Sequence, residues 1–278
     1  MEKELKNLLY QHKVTLKKAY GQNFLTDEFL LDEIVEKAGV TEKDVVLEIG
    51  CGAGALTRAL AKKAKKVIGY EIDNTLRPVL EQTLSGLKNV NIVFKDVMKE
   101  KLEDLENRLG EDYIMVANLP YYITTPIVME FIEKAKRLRG MAIMVQEEVA
   151  ERFSAKAGSS DYGAITVAIN LRGSASVIIR VPREKFTPIP NVDSAVVKID
   201  IDKNKNTDVD FDKVRNVVRC AFSSRRKMLV NNIMNVFKLN RQDAENILIN
   251  ADVSLTARGE QLDENAFIRL AKEIYKNG

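Results

Sequence analysis

VVLEIGCGAGALT, residues 45–57, holds the transition on which the fold turns. A β-branched apolar run of strand length ends at three closely spaced glycines, Gly50, Gly52 and Gly54, and an apolar helical pattern follows at once. Short β-branched runs of this kind mark strands of a buried parallel sheet. The glycines let the backbone turn tightly and approach a ligand, while the next helix offers free N–H groups and the positive end of its dipole. A plain strand-to-helix turn would use the same glycines.

Outward from this point the pattern repeats. Further strands are expected at 66–72, 91–95, 113–117 and 141–145, with helices at 57–65, 75–85 and 126–136 between them. Such alternation is the signature of crossover units around a parallel sheet. A helix at 27–38 precedes the first strand, with Phe29, Leu30, Ile34, Val35 and Ala38 on one face. Runs at 164–171 and 176–181, hinged at Gly173, and the alternating run 195–201 read as further strands. The stretch KNKNTDVD, 203–210, has almost no apolar content and reads as a boundary, dividing an α/β domain (1–204, with 1–20 a basic arm) from a small all-helical domain (205–278).

Composition narrows the chemistry. Among 278 residues there is one histidine, His12, and there are two cysteines, Cys51 and Cys220, too few for a zinc site of the usual type. No metal site is expected. The net charge of +3, from 43 basic and 40 acidic residues, leaves any polyanion to local clusters. No run approaches 18 apolar residues, and the start lacks a signal-peptide core, so a cytoplasmic protein with reduced cysteines and no membrane partner is expected.

Polar residues stand at the carboxyl ends of successive strands, where open α/β sheets bind ligands. Glu71 ends the second and suits ribose hydroxyls; Asp96 ends the third and suits an adenine amino group; Asn118 ends the fourth. The glycine turn lacks Lys and Arg, and no GxxxxGK[ST] occurs, so a nucleoside without a phosphate grip fits, S-adenosylmethionine better than a dinucleotide. Cys51 reads as a small filler in the turn.

Asn118-Leu119-Pro120-Tyr121 carries the most specific chemistry. An exocyclic adenine amine is a weak nucleophile because its lone pair is delocalised into the ring. A catalyst must hold its N–H groups with acceptors and aim the lone pair at a methyl donor. Asn118 supplies a side-chain carbonyl, the rigid Leu119-Pro120 link a backbone one, and Tyr121 a face for the base.

With GQNFL (21–25), LEIGCGAGALT (47–57), YEID (70–73), KDV (95–97), NLPY (118–121), VPREKFTPIPNVDSAVV (181–197) and FSSRRKML (222–229) in this order, the chain resembles the small-subunit rRNA adenine dimethyltransferases. The resemblance implies a Rossmann-like S-adenosylmethionine-dependent methyltransferase domain with a helical C-terminal domain. It also implies N6,N6-dimethylation of two adjacent adenosines near the 3′ end of small-subunit rRNA during ribosome biogenesis. Asn23, Leu25, Gly50 and Gly52 would border the methionine end of the cofactor, Glu71 with Ile72 the ribose side, and Asp96 with Val97 the adenine. Asn118 would lie between donor and amine, and Phe186 would close over the flipped base opposite Tyr121. Tyr122 and Arg183 depart from the usual bacterial pattern and lean toward the archaeal and eukaryotic branch.

Arg219, Arg225, Arg226 and Lys227 lie in a stretch, 214–230, without an acidic residue, a candidate for RNA phosphates; Lys13, Lys17 and Lys18 are a second. The expected partner is small-subunit rRNA in a pre-ribosomal particle, bound by a monomer. Two rivals remain: an erythromycin-resistance type enzyme acting on large-subunit rRNA, and an assembly factor in which methylation is secondary.

Overall fold

The computed structural model describes residues 2–15, 17 and 22–276. Lys18 and Gly21 lie outside the described residues. In chain order the elements are α1 (Glu2–Gln11), β1 (Phe24–Leu25), α2 (Glu28–Lys37), β2 (Val45–Ile49), α3 (Ala55–Ala61), β3 (Lys66–Glu71), α4 (Arg77–Thr83), β4 (Val90–Phe94), α5 (Leu102–Leu109), β5 (Tyr113–Asn118) and α6 (Thr124–Lys134). They continue with β6 (Leu138–Gln146), α7 (Glu147–Phe153), α8 (Ala164–Arg172), β7 (Gly173–Val181), β8 (Phe186–Thr187), β9 (Ser194–Ile201), α9 (Phe211–Phe222), α10 (Leu229–Phe237), α11 (Arg241–Asn250) and α12 (Glu264–Ile274).

Seven strands form one sheet in the order β4-β3-β2-β5-β6-β9-β7. The pairs from β4 to β6 are parallel, and β9 runs antiparallel to β6. All five residues of β2 are buried, four of them apolar as the centre of such a sheet requires and the fifth the acidic Glu48. The chain leaves β2 toward β3 on one side and returns to β5 on the other, so a crevice opens at the carboxyl ends of β2 and β5. The order is doubly wound and Rossmann-like, in keeping with the fold class expected from the sequence.

Two expectations about the elements fail. Residues 164–171 form helix α8, because Val167 and Leu171, four apart, join Tyr162 in the core of a helical unit. In α2, Asp27 caps the first turn by accepting from Leu30 N–H at 3.2 Å. That phase turns Leu31, Ile34 and Val35 inward and leaves Phe29 90% exposed.

The chain forms two compact units: Met1–Ala150 with Ala175–Ile201, and Glu151–Ser174 with Asp202–Gly278. The single cut after 204 is therefore replaced by a division that assigns 151–174 to the helical unit, where Tyr162, Val167 and Leu171 are buried. The polar stretch ends in Asp210, whose carboxylate caps α9 by accepting from Asp212 and Lys213 N–H, both at 3.1 Å. In the first unit, the arm at 1–20 contains α1, whose Leu5 and Leu9 are buried with Phe24, Leu76 and Leu80. Among the described residues no helix is long and apolar enough to cross a membrane, and no group of three or more His, Cys, Asp or Glu could hold a metal ion.

Candidate active site

A cavity of about 530 Å³ opens at the carboxyl end of β2. Its floor is the glycine turn, in which Gly50, Gly52 and Gly54 all take positive φ (+80°, +56° and +87°). Gly50 N–H donates to the Tyr70 carbonyl at 2.8 Å, tying the turn to β3. A Cβ at Gly52 would stand 2.8 Å from the Phe24 ring, and one at Gly50 would stand 3.5 Å from the Asn118 carbonyl oxygen. Positive φ favours glycine at all three positions, and at Gly52 the close approach of the Phe24 ring from β1 adds a steric reason.

Glu71 is 5% exposed and fully engaged with backbone. Its Oε2 accepts from Gly52 N–H and its Oε1 from Asp73 N–H, each at 2.8 Å. Burial raises its pKa above the ordinary carboxylate value, against the pull of those two N–H groups. Asp73 behaves oppositely. Burial pushes its carboxyl up, but hydrogen bonds from Lys17, Thr75 and Gln22 outweigh that and hold it below the usual range. Asp96 is half-buried and caps a 3₁₀ turn, its Oδ1 accepting from Met98 N–H at 3.0 Å. Ile72 (39% exposed) and Val97 add apolar wall between these carboxylates.

Asn118 ends β5, and its Nδ2 donates to the Asn23 carbonyl at 3.1 Å. The amide is thereby oriented, with one of its two N–H donors engaged and Oδ1 left as the acceptor. Leu119 is buried, and the Pro120 carbonyl accepts from Ile123 N–H and from Thr124 Oγ1–H. The Tyr121 hydroxyl shares a 2.9 Å hydrogen bond with Ser194 Oγ, and burial raises the Tyr121 pKa despite that bond. Asn23, Leu25, Gly50, Gly52, Glu71, Ile72, Asp96, Val97 and the whole of Asn118–Tyr121 therefore meet on one cavity wall.

Phe186 does not. It pairs with Leu25 in the β1–β8 ribbon, is 2% exposed, and packs in the core with Leu31, Ile34 and Val181. No stacking face opposite Tyr121 is open on that ring, because strand pairing turns it under the ribbon. Three groups escaped the sequence reading. Ser194, inside PNVDS, fixes Tyr121; the Asn23 carbonyl fixes Asn118; and Glu48, inside LEIGCG, is a buried carboxyl on the cavity wall.

In the helical unit Arg219, Arg226 and Lys227 are exposed, but Arg225 Nη2 donates to the carbonyls of Ser160 and Tyr162 at 2.8 and 2.9 Å. Arg225 is a clamp on the 151–174 segment. Of the arm lysines, Lys13 is exposed and Lys17 is paired with Asp73 at 2.6 Å.

Glycine cradle, acidic strand ends and the asparagine-led motif on this sheet define a Rossmann-like nucleoside-dependent methyltransferase class. The family model described as ribosomal RNA adenine dimethylase matches residues 13–272, and the chain belongs to that family. It is 41% identical over 276 residues to the ribosomal RNA small subunit methyltransferase A of Bacillus licheniformis, covering 97% of this chain and 94% of the relative. Among solved structures it is similar to a dimethyladenosine transferase from Plasmodium falciparum (TM-score 0.78, 28% identity, 91% of this chain and 98% of that one). It is also similar to the 23S rRNA methyltransferase ErmE (TM-score 0.70, 27% identity, 91% and 100%). The leaning toward the archaeal and eukaryotic branch is not upheld, since a bacterial relative matches over nearly the full length of this chain.

Proposed function

We propose that this protein transfers methyl groups from S-adenosylmethionine to N6 of two adjacent adenosines near the 3′ end of small-subunit rRNA, giving N6,N6-dimethyladenosine in ribosome biogenesis. The observation that carries the reading is the amide of Asn118, oriented by donating one N–H to the Asn23 carbonyl at the rim of a cavity suited to a nucleoside.

The residues fit the cofactor. Two backbone-held carboxylate oxygens on Glu71 keep lone pairs for ribose hydroxyls, Asp96 offers its second oxygen to an adenine amino group, and Ile72 and Val97 flank the plane of the base. Gly50 and Gly52, with Asn23 and Leu25, line the end where the methionine part belongs. When bound, the cofactor supplies a methyl already activated on a sulfonium. The chain's own work is positioning: Asn118 Oδ1 and the Leu119 carbonyl accept the two amine hydrogens, which localises the lone pair and aims it. The Pro120 carbonyl, bonded to Ile123 and Thr124, fixes the turn that presents them. Tyr121, pinned through Ser194, gives the target base its stacking face. Arg219, Arg226 and Lys227 hold phosphates of the rRNA within a pre-ribosomal small subunit, and the protein acts as a cytoplasmic monomer.

The test is incubation with labelled S-adenosylmethionine of unmethylated small subunits and, in parallel, of unmethylated large-subunit rRNA, followed by mapping of the modified nucleotides. Two adjacent dimethyladenosines near the 3′ end are expected. Label confined to large-subunit rRNA would transfer the assignment to the activity named for ErmE, and absence of label from any adenine would end it.

A further inference from the structure

Glu48 lies on β2 two residues before Gly50, is 1% exposed, and lines the same cavity. Neither of its carboxyl oxygens has a hydrogen-bond partner, nor does the neighbouring Thr57 hydroxyl. Buried polar groups are nearly always paired, so an unpartnered carboxyl on a cavity wall needs a reason. Its surroundings make ionisation costly. From β3 comes Glu71, a second acid; from the glycine turn comes the Cys51 thiol; from α3 comes Thr57, which stands beside it without a well-aligned bond. The cations of the cavity wall are committed elsewhere, Arg58 to Glu28 at 2.9 Å and Lys95 to Glu100 at 3.4 Å. Glu71 differs, since both of its oxygens already accept backbone N–H groups.

A buried acid with no counter-ion and only poorly aligned hydroxyl and thiol neighbours keeps its proton. Burial pushes the Glu48 carboxyl up to about 8, Thr57 opposing and the charge of Glu71 reinforcing that rise. S-adenosylmethionine brings two positive groups, a sulfonium and an α-ammonium, into this cavity. We propose that Glu48 is a cofactor-charge receptor: neutral in the free protein, it releases its proton to solvent as S-adenosylmethionine binds, and the carboxylate left behind balances the ligand's positive charge. The O–H bond breaks heterolytically, the electron pair stays on the carboxylate and the proton goes to buffer; no redox partner is needed. The inference rests on the cofactor reading above and adds a residue and a proton to it.

Calorimetric titration of S-adenosylmethionine into the full chain at pH 7, in three buffers of different ionisation enthalpy, measures the proton count. The expected slope is close to one proton released per cofactor bound, vanishing as the pH passes well above 8. Affinity should weaken about tenfold per pH unit below the free-protein pKa. Glu48→Gln cannot ionise and should bind with no proton released and little pH dependence. Where that variant fails to fold, S-adenosylhomocysteine with the parent chain serves instead, its neutral sulfur drawing off fewer protons. Cofactor binding with no proton exchange, or equal release from Glu48→Gln, overturns the proposal while leaving the cofactor reading intact. No binding of S-adenosylmethionine in any buffer removes both.

Discussion

Polar side chains on the sheet rim and basic ones in the helical unit are held in opposite ways. On the rim Glu71, Asp96 and Asn118 each have a backbone partner: Glu71 the amides of Gly52 and Asp73, Asp96 that of Met98, Asn118 the carbonyl of Asn23. In the helical unit Arg219, Arg226 and Lys227 are exposed and make no side-chain hydrogen bond or ion pair among the described residues. Fixed dipoles suit a transition state, where reorganisation is costly; free cations suit a phosphate backbone, which rewards charge without demanding geometry. The contrast is broken most directly at Asn118. Asn118→Ala should lower methylation by about a hundredfold to a thousandfold, the range for loss of one oriented polar group. S-adenosylmethionine affinity, measured by titration, should stay within a few fold. Near-parental turnover would mean that the oriented amide is only a structural tie to Asn23.

Glu71→Ala comes next. It removes the acceptor proposed for the ribose and leaves the Gly52 and Asp73 amides unpaired, so cofactor affinity should fall about tenfold to a hundredfold. A parallel thermal melt separates loss of the site from loss of the turn, and an unchanged titration would take Glu71 out of cofactor recognition. Smaller still is the effect expected in the other region. Replacing Arg219, Arg226 and Lys227 together with Glu should weaken rRNA binding. The slope of log affinity against log salt should also become shallower, by about 0.7 for each phosphate of a single strand that is no longer neutralised. Equal slopes for mutant and parent would reduce the three to ordinary surface charge.

The same contrast governs how much of the molecule was legible in the sequence. The parallel strands declare themselves because β2, β3, β5 and β6 are apolar along most of their length, as burial on both faces requires, with Glu48 the exception inside β2. Strand-end residues then follow from the register, which is why Glu71, Asp96 and Asn118 come out on one wall. AITVAINL misleads because it satisfies a period of two as well as one of 3.6, and only Tyr162 and the helical core beyond decide for a helix. Ties between distant segments leave no local trace: Asn118 is bonded to Asn23, 95 residues away, and Tyr121 to Ser194, 73 away. Phe186 shows the same limit, since its burial depends on the two-residue pairing with Leu25.

Arg225 lies between the two behaviours and offers the finest test of the contrast. In sequence it is one of three consecutive cations, yet its guanidinium donates twice from Nη2, to Ser160 and Tyr162, fixing the loop ahead of α8. A charged donor to two partly exposed carbonyls contributes about 1 to 2 kcal/mol, and little of that survives replacement by Lys, which lacks the planar fork. Arg225→Lys should therefore lower the unfolding midpoint of the chain by a few degrees while leaving net charge, and with it the salt slope of rRNA binding, unchanged. Arg226→Lys, which alters no intramolecular bond, should change neither. If instead Arg225→Lys weakened rRNA binding with no shift in melting, the guanidinium would be a reader of RNA that rests on Ser160 and Tyr162 only in the free protein, and the line between fixed and free cations would have to move by one residue.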